Sequence, residues 1–385
     1  MNKRGLKKLS VLLCGIIVLF ACARKTNLTT VTTTEEKTAH LDSISHAQER
    51  ADSLIPMELI NRSKHEIHKD LAPDYYALAF KRIQSLIRNP AKESFKEALF
   101  HMENAFHNGS LDRKHFEAQL QNLLYLAELH KQSHAEVFLY QETDQEQMLK
   151  HASLFHLITD TLRMESQGVE LQHLPFLYDH EQAFDSNRWD RNLVSKLLNS
   201  KKGNCQALVY LYKMLADAWD VPSHLALAPH HIYLKHSAKA TGMFNTELTS
   251  ASFPSDGWIM SSGYISLKAV QSGIYMKALS KQEEISLVLL DLAQAYHFQR
   301  GMGDGQFILS CCEEVLKNFP NCINARLLKA KVLFAQLKID PDLALKKEHE
   351  ELIRSIYQLG FREVPQKMYE SWISHLRQPE HGNNH

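Results

Sequence analysis

The chain has 385 residues, enough for two or three domains, because single cores usually stop growing near about 250 to 300 residues. Its 14 glycines are about half the number expected from an average usage of about 7%, so the composition favours helices. The formal net charge is zero, and no Lys/Arg stripe follows the N-terminal leader, which argues against a nucleic-acid partner.

The first residues have the pattern of a bacterial signal peptide. Four bases precede an apolar run at Leu9–Ala21, whose 13 residues are fewer than the roughly 20 that a spanning helix needs. The run ends in Leu19-Phe20-Ala21-Cys22, which resembles a lipobox. We predict a signal peptide over residues 1–21 and a lipid on Cys22 that holds the protein to a bacterial membrane, at its periplasmic or surface face. Ordinary secretion with an incidental Cys22 is the alternative.

The next segment, residues 22–57, is polar and threonine-rich, with little apolar surface to bury. We interpret it as a tether between the membrane and the folded part. Four cysteines remain beyond it: Cys205, Cys311, Cys312 and Cys322. Four are too few for a disulfide framework in so long a chain, so the last three are either buried thiols or include one disulfide.

Residues 58–170 are predicted to be an N-terminal helical region. From Asp74 to about Leu162 apolar residues recur at helical spacing, with breaks at Asn89-Pro90 and Asn108-Gly109-Ser110 and a cap at Asp112. Several histidines fall on these helices without carboxylates or thiols at ligand spacing, which indicates solvated surface rather than a metal site. They include His101, His107, His115, His130 and His134.

A reactive side chain is predicted at a helix start in the middle of the chain. Asn204 has the position of an N-cap, which places Cys205 in the first turn of the helix. The predicted buried face of this helix consists of Leu208, Leu211, Tyr212, Leu215, Ala218 and Trp219. The helix dipole there stabilises a thiolate, and the Cys205 N–H points toward an oxyanion on an attacked carbonyl. Asn199 and Trp189 are candidates for a second oxyanion donor.

Two strands and a return strand are predicted after this helix. Leu225–Ala228 forms one strand, Pro229 interrupts it, and His231–Leu234 forms the next. A return strand follows at Phe244–Thr249, in which alternation places Asn245, Glu247 and Thr249 on one face. A carboxylate from that face beside His231 would orient the imidazole and stabilise its charged form.

These residues resemble the transglutaminase-like superfamily, in particular SirB-type related proteins that include lipoproteins of Bacteroidetes. The resemblance rests on Lys202-Gly203-Asn204-Cys205 and Pro229-His230-His231-Ile232-Tyr233, followed by an acid before a threonine in the next strand, and it covers roughly residues 174–273. It implies a transglutaminase-like domain over residues 171–280, with Cys205 as nucleophile, His231 as general base and Glu247 as the acid, a position usually occupied by aspartate.

Two assignments in this triad have alternatives. His230 competes with His231 for the base, although the aromatic Tyr233 favours His231. Asn245 competes with Glu247, because papain-like enzymes use an amide to orient the histidine. A metal site using Cys205, His230 and His231 is a weaker possibility.

The C-terminal part, residues 281–377, is predicted to be helical again. Helices at Phe307–Phe319 and Ala325–Leu337 flank Asn318-Phe319-Pro320-Asn321, which resembles a tetratricopeptide repeat and offers a possible surface for a protein partner. A last amphipathic helix carries Met368, Tyr369, Trp372 and Leu376 before a polar tail at residues 378–385.

Together these patterns predict an α+β fold, with a papain- or transglutaminase-like core between an N-terminal helical bundle and C-terminal tetratricopeptide-like helix pairs. The leading functional hypothesis is a lipid-anchored cysteine protease or amidase of the cell envelope, acting on peptide or protein substrates. No cofactor or metal is expected, and no glycine-rich phosphate-binding motif occurs. The rival hypothesis is an inactive transglutaminase-like scaffold or binding lipoprotein.

Overall fold

The computed structural model describes residues 74–180 and 187–365. The predicted signal peptide, Cys22, the tether, the helix through Trp372 and the tail at residues 378–385 therefore lie outside the described residues. The described part is α+β and mostly helical, as predicted. None of the helices in this part is both long enough and apolar enough to span a membrane.

The chain enters this part through helices separated by the predicted breaks. They are α1 (Tyr75–Arg88), α2 (Ser94–Phe106), α3 (Arg113–His134), a 3₁₀ turn (Ala135–Val137) and α4 (Gln145–Thr159). Asp112 caps α3 as predicted, since its Oδ1 accepts from the His115 N–H at 3.2 Å. The turn before it requires glycine, because Gly109 has φ 81° and a Cβ there would lie 2.1 Å from Tyr75 Cζ.

A short hairpin follows α4 where helical periodicity was expected to run to about Leu162. The helix ends at Thr159, and β1 (Leu162–Ser166) pairs antiparallel with β2 (Val169–His173). Gln167 and Gly168 turn the chain with positive φ angles of 50° and 77°, as a two-residue hairpin turn requires. The sequence signal is weak, because only one alternating pair, Leu162 and Met164, is buried in β1.

The middle of the chain holds the cysteine helix and two small sheets. In order come β3 (Leu177–Tyr178), a 3₁₀ turn (Trp189–Asn192), α5 (Val194–Ser200), β4 (Lys202–Gly203), α6 (Cys205–Ala218), β5 (His224–Ala228), β6 (His231–Ala238) and β7 (Gly242–Thr246). Strands β5, β6 and β7 form one antiparallel sheet in that order, and β3 pairs with β4 in parallel.

Helix α6 is central rather than amphipathic. Every residue from Ala207 to Ala216 is buried, whereas Ala218 and Trp219 are only half-buried, so the prediction of a single buried face was wrong. The helix packs against α4, α5 and β6. Most of these buried residues are apolar, as a helix enclosed by its neighbours requires, and the charged exception, Lys213, is paired with carboxylates.

The remaining helices return to the same core. They are α7 (Asp256–Ser262), α8 (Leu267–Gln271), α9 (Lys281–Arg300), α10 (Gln306–Asn318), α11 (Ile323–Ile339) and α12 (Leu343–Gln358). Helices α10 and α11 match the two predicted helices to within a few residues. Helix α9 packs on α1 and α2 as well as on α10, and the buried residues from α1 to α12 form one continuous cluster.

Tyr210 of α6 shows how the flanking helices enclose the middle of the chain. Its ring meets Phe95 of α2 edge-on, with centroids 5.1 Å apart, and its hydroxyl donates to Asp291 Oδ2 of α9 at 2.8 Å. Burial raises the pKa of Asp291 to about 7, well above the usual value for a carboxyl. The tetratricopeptide resemblance and the predicted domain limits stay predictions.

Three of the cysteines are structural. Cys311, Cys312 and Cys322 are fully buried, and all three are free thiols, so of the two possibilities the structure has the thiols rather than a disulfide. Burial raises the pKa of Cys312 and that of Cys322 to about 12. They are therefore poor nucleophiles, because the thiolate is the reactive form.

Candidate active site

Cys205 is the first residue of α6, as predicted, and its helix start is firmly held. Asn204 caps the helix, with its Oδ1 accepting from the Ala207 N–H at 3.1 Å. The Asn204 Nδ2 donates to Asn192 Oδ1 at 2.5 Å, and its backbone N–H donates to the Arg191 carbonyl at 3.2 Å. Cys205 itself is a free, half-buried thiol, which leaves it accessible to a substrate.

His231 joins Cys205 to Glu247. The His231 Nε2 donates to Glu247 Oε2 at 2.5 Å, and Cys205 lies close enough to His231 for the two side chains to interact electrostatically. Since Nε2 is used by the carboxylate, Nδ1 is the ring nitrogen left for another partner. The His231 side chain is 32% exposed and that of Glu247 is 11% exposed. The structure therefore brings all three predicted residues together in the order of a catalytic triad.

Glu247 is held by its other oxygen. Oε1 accepts from the Thr249 backbone N–H at 2.9 Å and from the Thr249 hydroxyl at 2.6 Å. Because both carboxylate oxygens have partners, the group has little freedom to rotate away from His231. This arrangement explains why an acid followed two residues later by threonine accompanies the histidine in this sequence.

The return strand ends earlier than predicted. Strand β7 stops at Thr246, and Glu247 lies just beyond it, in a turn closed by a two-way backbone bridge with Ser252 at 2.8 and 2.9 Å. The alternation argument placed Glu247 on a strand face that does not extend so far.

The protonation states of His231 and Glu247 depend on each other. Burial lowers the pKa of His231, but the neighbouring Cys205 and Glu247 outweigh it and raise that pKa well above its ordinary value. Burial raises the pKa of Glu247, whereas His231 and the hydrogen bonds from Thr249 lower it overall. The ion pair is therefore charged between the two pKa values. Its contribution to stability is lost when the pH falls through that of Glu247 or rises through that of His231.

The two alternatives in the triad occupy other positions. His230 is solvent-exposed, in the turn between β5 and β6, with a left-handed φ of 55°. Asn245 lies opposite Lys235 in the sheet and accepts from its Nζ at 2.8 Å. Its Nδ2 donates to Asp256 Oδ1 at 2.8 Å and to the Pro254 carbonyl at 2.9 Å, so Asn245 fixes the loop after β7.

The two candidates for a second oxyanion donor both contact neighbouring helices. Asn199 is exposed on α5, where its Oδ1 accepts from Gln119 Nε2 at 3.1 Å. The Trp189 ring is stacked on Phe106 of α2, with centroids 5.2 Å apart. Both side chains therefore serve contacts between helices.

A buried carboxylate caps α5, the helix that precedes Cys205 in the chain. Glu103 of α2 is fully buried, and its oxygens accept from the backbone N–H groups of Val194 and Ser195 at 2.6 and 2.8 Å. It thus caps α5, whose N-terminus has no capping side chain of its own. Burial raises the pKa of Glu103 to about 7, despite the hydrogen bonds. No local sequence signal identifies this cap, because its two halves are about 90 residues apart.

The histidines of the N-terminal helices were expected to be solvated, but not all of them are. His130 is buried, with Nδ1 3.3 Å from Ser153 Oγ and its ring stacked on that of His134, so that prediction was wrong for His130. Burial lowers the pKa of His130 to about 4. Across residues 74–180 and 187–365, no three His, Cys, Asp or Glu side chains are arranged to hold a metal ion.

In comparisons with known proteins, no family model, no curated protein and no solved structure matches the chain. The resemblance to the transglutaminase-like superfamily therefore rests on the residues named above and on their geometry.

Proposed function

We propose that this chain is a cysteine acyl-transfer enzyme of the bacterial cell envelope, a protease or amidase acting on peptide or amide bonds. The observation that carries this proposal is the His231–Glu247 hydrogen bond beside Cys205, with Cys205 at the start of a capped helix. The imidazolium and the helix N-terminus both stabilise negative charge on the sulfur.

The chemistry follows from these positions. The sulfur attacks the substrate carbonyl carbon, and the Cys205 N–H, free of an acceptor in the first helical turn, donates to the developing oxyanion. The His231 imidazolium gives its Nδ1 proton to the leaving amine as the C–N bond breaks. Neutral His231 then takes a proton from water, which hydrolyses the thioester, while Glu247 stabilises each charged state of the ring.

Membrane attachment is the second part of the proposal. It rests on the signal-peptide pattern and on Leu19-Phe20-Ala21-Cys22 in the sequence. A lipidated Cys22 followed by the polar segment 23–57 would hold the enzyme near the membrane. We expect palmitate to be incorporated into the protein in a bacterial host, and Cys22→Ser to abolish that incorporation. Labelling that persists in Cys22→Ser would contradict the anchor.

Selective alkylation tests the nucleophile. In a chain carrying Cys14→Ser and Cys22→Ser, iodoacetamide should label one site quickly at pH 6, because Cys311, Cys312 and Cys322 are buried. The expected rate constant is at least about tenfold above that of a small free thiol at the same pH, since the thiolate is the reacting species. Mass spectrometry of the labelled peptide identifies the site.

Cys205→Ala is the control for this experiment, and it should remove the fast labelling completely. Labelling of Cys205 no faster than the free thiol would contradict an activated nucleophile. It would favour the rival function, a lipid-tethered binding protein with an inactive transglutaminase-like core.

A further inference from the structure

An oxyanion formed at Cys205 needs more than one donor. The Cys205 N–H supplies the first, and loss of a single donor typically costs such sites about 10²- to 10³-fold in turnover. Two polar side chains near the nucleophile are engaged, since Asn204 caps the helix and Asn192 accepts from it and donates to the Trp189 carbonyl at 2.8 Å. A second donor can come from a neighbouring element.

Strand β3 brings Tyr178 to this position. Tyr178 pairs in register with Gly203, two residues before Cys205, in the parallel β3–β4 ladder. The Leu177 N–H donates to the Lys201 carbonyl at 2.7 Å, and the Asp179 N–H donates to the Gly203 carbonyl at 2.8 Å. Backbone hydrogen bonds on both sides of Tyr178 thus fix it against the segment that leads into the nucleophile.

The close approach of β3 and β4 to the helix depends on Gly203. A Cβ at this residue would lie 3.1 Å from Ala207 Cβ and 3.1 Å from Leu197 Cδ1. The glycine before the nucleophile therefore lets β4 pack tightly on α5 and α6. It also keeps the β4 backbone, and with it Tyr178, near the start of α6.

The phenol of Tyr178 lies in the electrostatic field of the triad. Burial, followed by the charge of Cys205, raises the pKa of Tyr178; Arg191 lowers it and Glu247 raises it further. The hydroxyl therefore keeps its proton and can donate a hydrogen bond. The ring is half-buried, so part of the side chain faces solvent, from which a substrate can approach it.

We propose that Tyr178 is the second oxyanion donor of the Cys205 site, its hydroxyl hydrogen-bonding the carbonyl oxygen of the bound substrate. The inference rests on the proposed acyl-transfer function. In the step concerned, the sulfur forms a bond to the carbonyl carbon, and the π electron pair moves to the oxygen. The Cys205 N–H and the Tyr178 O–H stabilise that charge without transferring a proton. When the intermediate collapses, the C–N or C–O bond breaks and His231 protonates the leaving group where it needs a proton.

Two reactions of the same sulfur separate this role from a structural one. Alkylation by iodoacetamide displaces iodide and forms no oxyanion, whereas acylation by p-nitrophenyl acetate passes through one. In the full chain, Tyr178→Phe should slow acylation about 10²-fold, the cost of losing one donor, while the alkylation rate of Cys205 stays within about twofold. Phenylalanine keeps the ring and removes only the hydroxyl.

Tyr125→Phe is the matched control, because the Tyr125 hydroxyl is exposed on α3 and contacts Ser166 Oγ. Both rates should be unchanged in this variant. Equal acylation by Tyr178→Phe and the wild type would overturn the donor role and leave the proposed function intact. A parallel loss of both rates would assign Tyr178 to shaping the nucleophile and would also overturn it. A wild-type chain that iodoacetamide labels slowly and that forms no acyl-enzyme would contradict both the acyl-transfer function and the donor role of Tyr178.

Discussion

Replacing His231 by glutamine is expected to slow acylation of Cys205 by p-nitrophenyl acetate about 10³-fold, within the 10²- to 10⁴-fold that a positioned acid–base group contributes. The variant loses the positive charge that stabilises a thiolate at Cys205. It also leaves the Glu247 carboxylate, 11% exposed, without its ion-pair partner. The release of p-nitrophenol, followed under single-turnover conditions, measures the effect.

The neighbouring histidine provides the control. His230→Asn changes an exposed residue in the same turn, and asparagine tolerates the left-handed conformation that His230 adopts at φ 55°. We expect its acylation rate to stay within about threefold of the wild type, well short of the general acid–base contribution. The opposite ranking, with His230→Asn the slower variant, would transfer the role of base to His230 and refute the triad described here.

Replacing Lys213 by methionine is expected to destabilise the fold by about 3–5 kcal/mol, the usual cost of leaving a buried charge without its partner. Lys213 of α6 has a side chain 3% exposed, and its Nζ lies 3.1 Å from Glu284 Oε2, whose side chain is 1% exposed. It also donates to Asp217 Oδ1 at 2.9 Å and to the Ser223 carbonyl at 2.8 Å. Urea unfolding at pH 7 measures the change in free energy.

The pH dependence of this variant follows from the two carboxyls. Burial raises the pKa of Glu284, Lys213 lowers it, and the net change is upward; the same holds for Asp217. Without the lysine both pKa values rise further. The loss of stability is therefore greatest at pH values above both of these pKa values. It shrinks as the pH falls toward about 4, the pKa of a carboxyl in the unfolded chain. A loss that grows at lower pH would contradict the unpaired carboxylate as its cause.

An exposed ion pair is the matched control. Lys92 Nζ lies 2.7 Å from Asp220 Oδ2, with side chains 46% and 74% exposed. Lys92→Met should leave the unfolding midpoint unchanged, because solvent screens the pair and both ions are hydrated when apart. Equal losses in the two variants would show that burial is not what makes Lys213 important.

Local patterns predicted the parts of this fold that local forces determine. The cap at Asn204, the breaks in the N-terminal helices and the strands around Pro229 each depend on a few adjacent residues. The order of Cys205, His231 and Glu247 likewise indicated a triad, because a helix start and two neighbouring strands place such residues near one another. These are the interactions that spacing along a chain can encode.

Long-range partnerships could not be predicted in this way. Glu103 caps a helix about 90 residues further on, and Lys213 pairs with Glu284. Tyr178 reaches the site only because β3 pairs with β4. Burial of α6 on all sides also depends on helices from both ends of the described chain. Each of these contacts is specified by tertiary packing, for which the local sequence carries no distinct pattern.

The two contacts of Tyr210 have a consequence for how this protein can change. Phe95 packs on its ring and Asp291 accepts from its hydroxyl, and each belongs to a different outer region of the chain. Helix α6, which carries Cys205, is thus packed against two different outer segments of the chain through Tyr210. Recombination that exchanged either outer segment would therefore have to supply a replacement contact for Tyr210 at the same time.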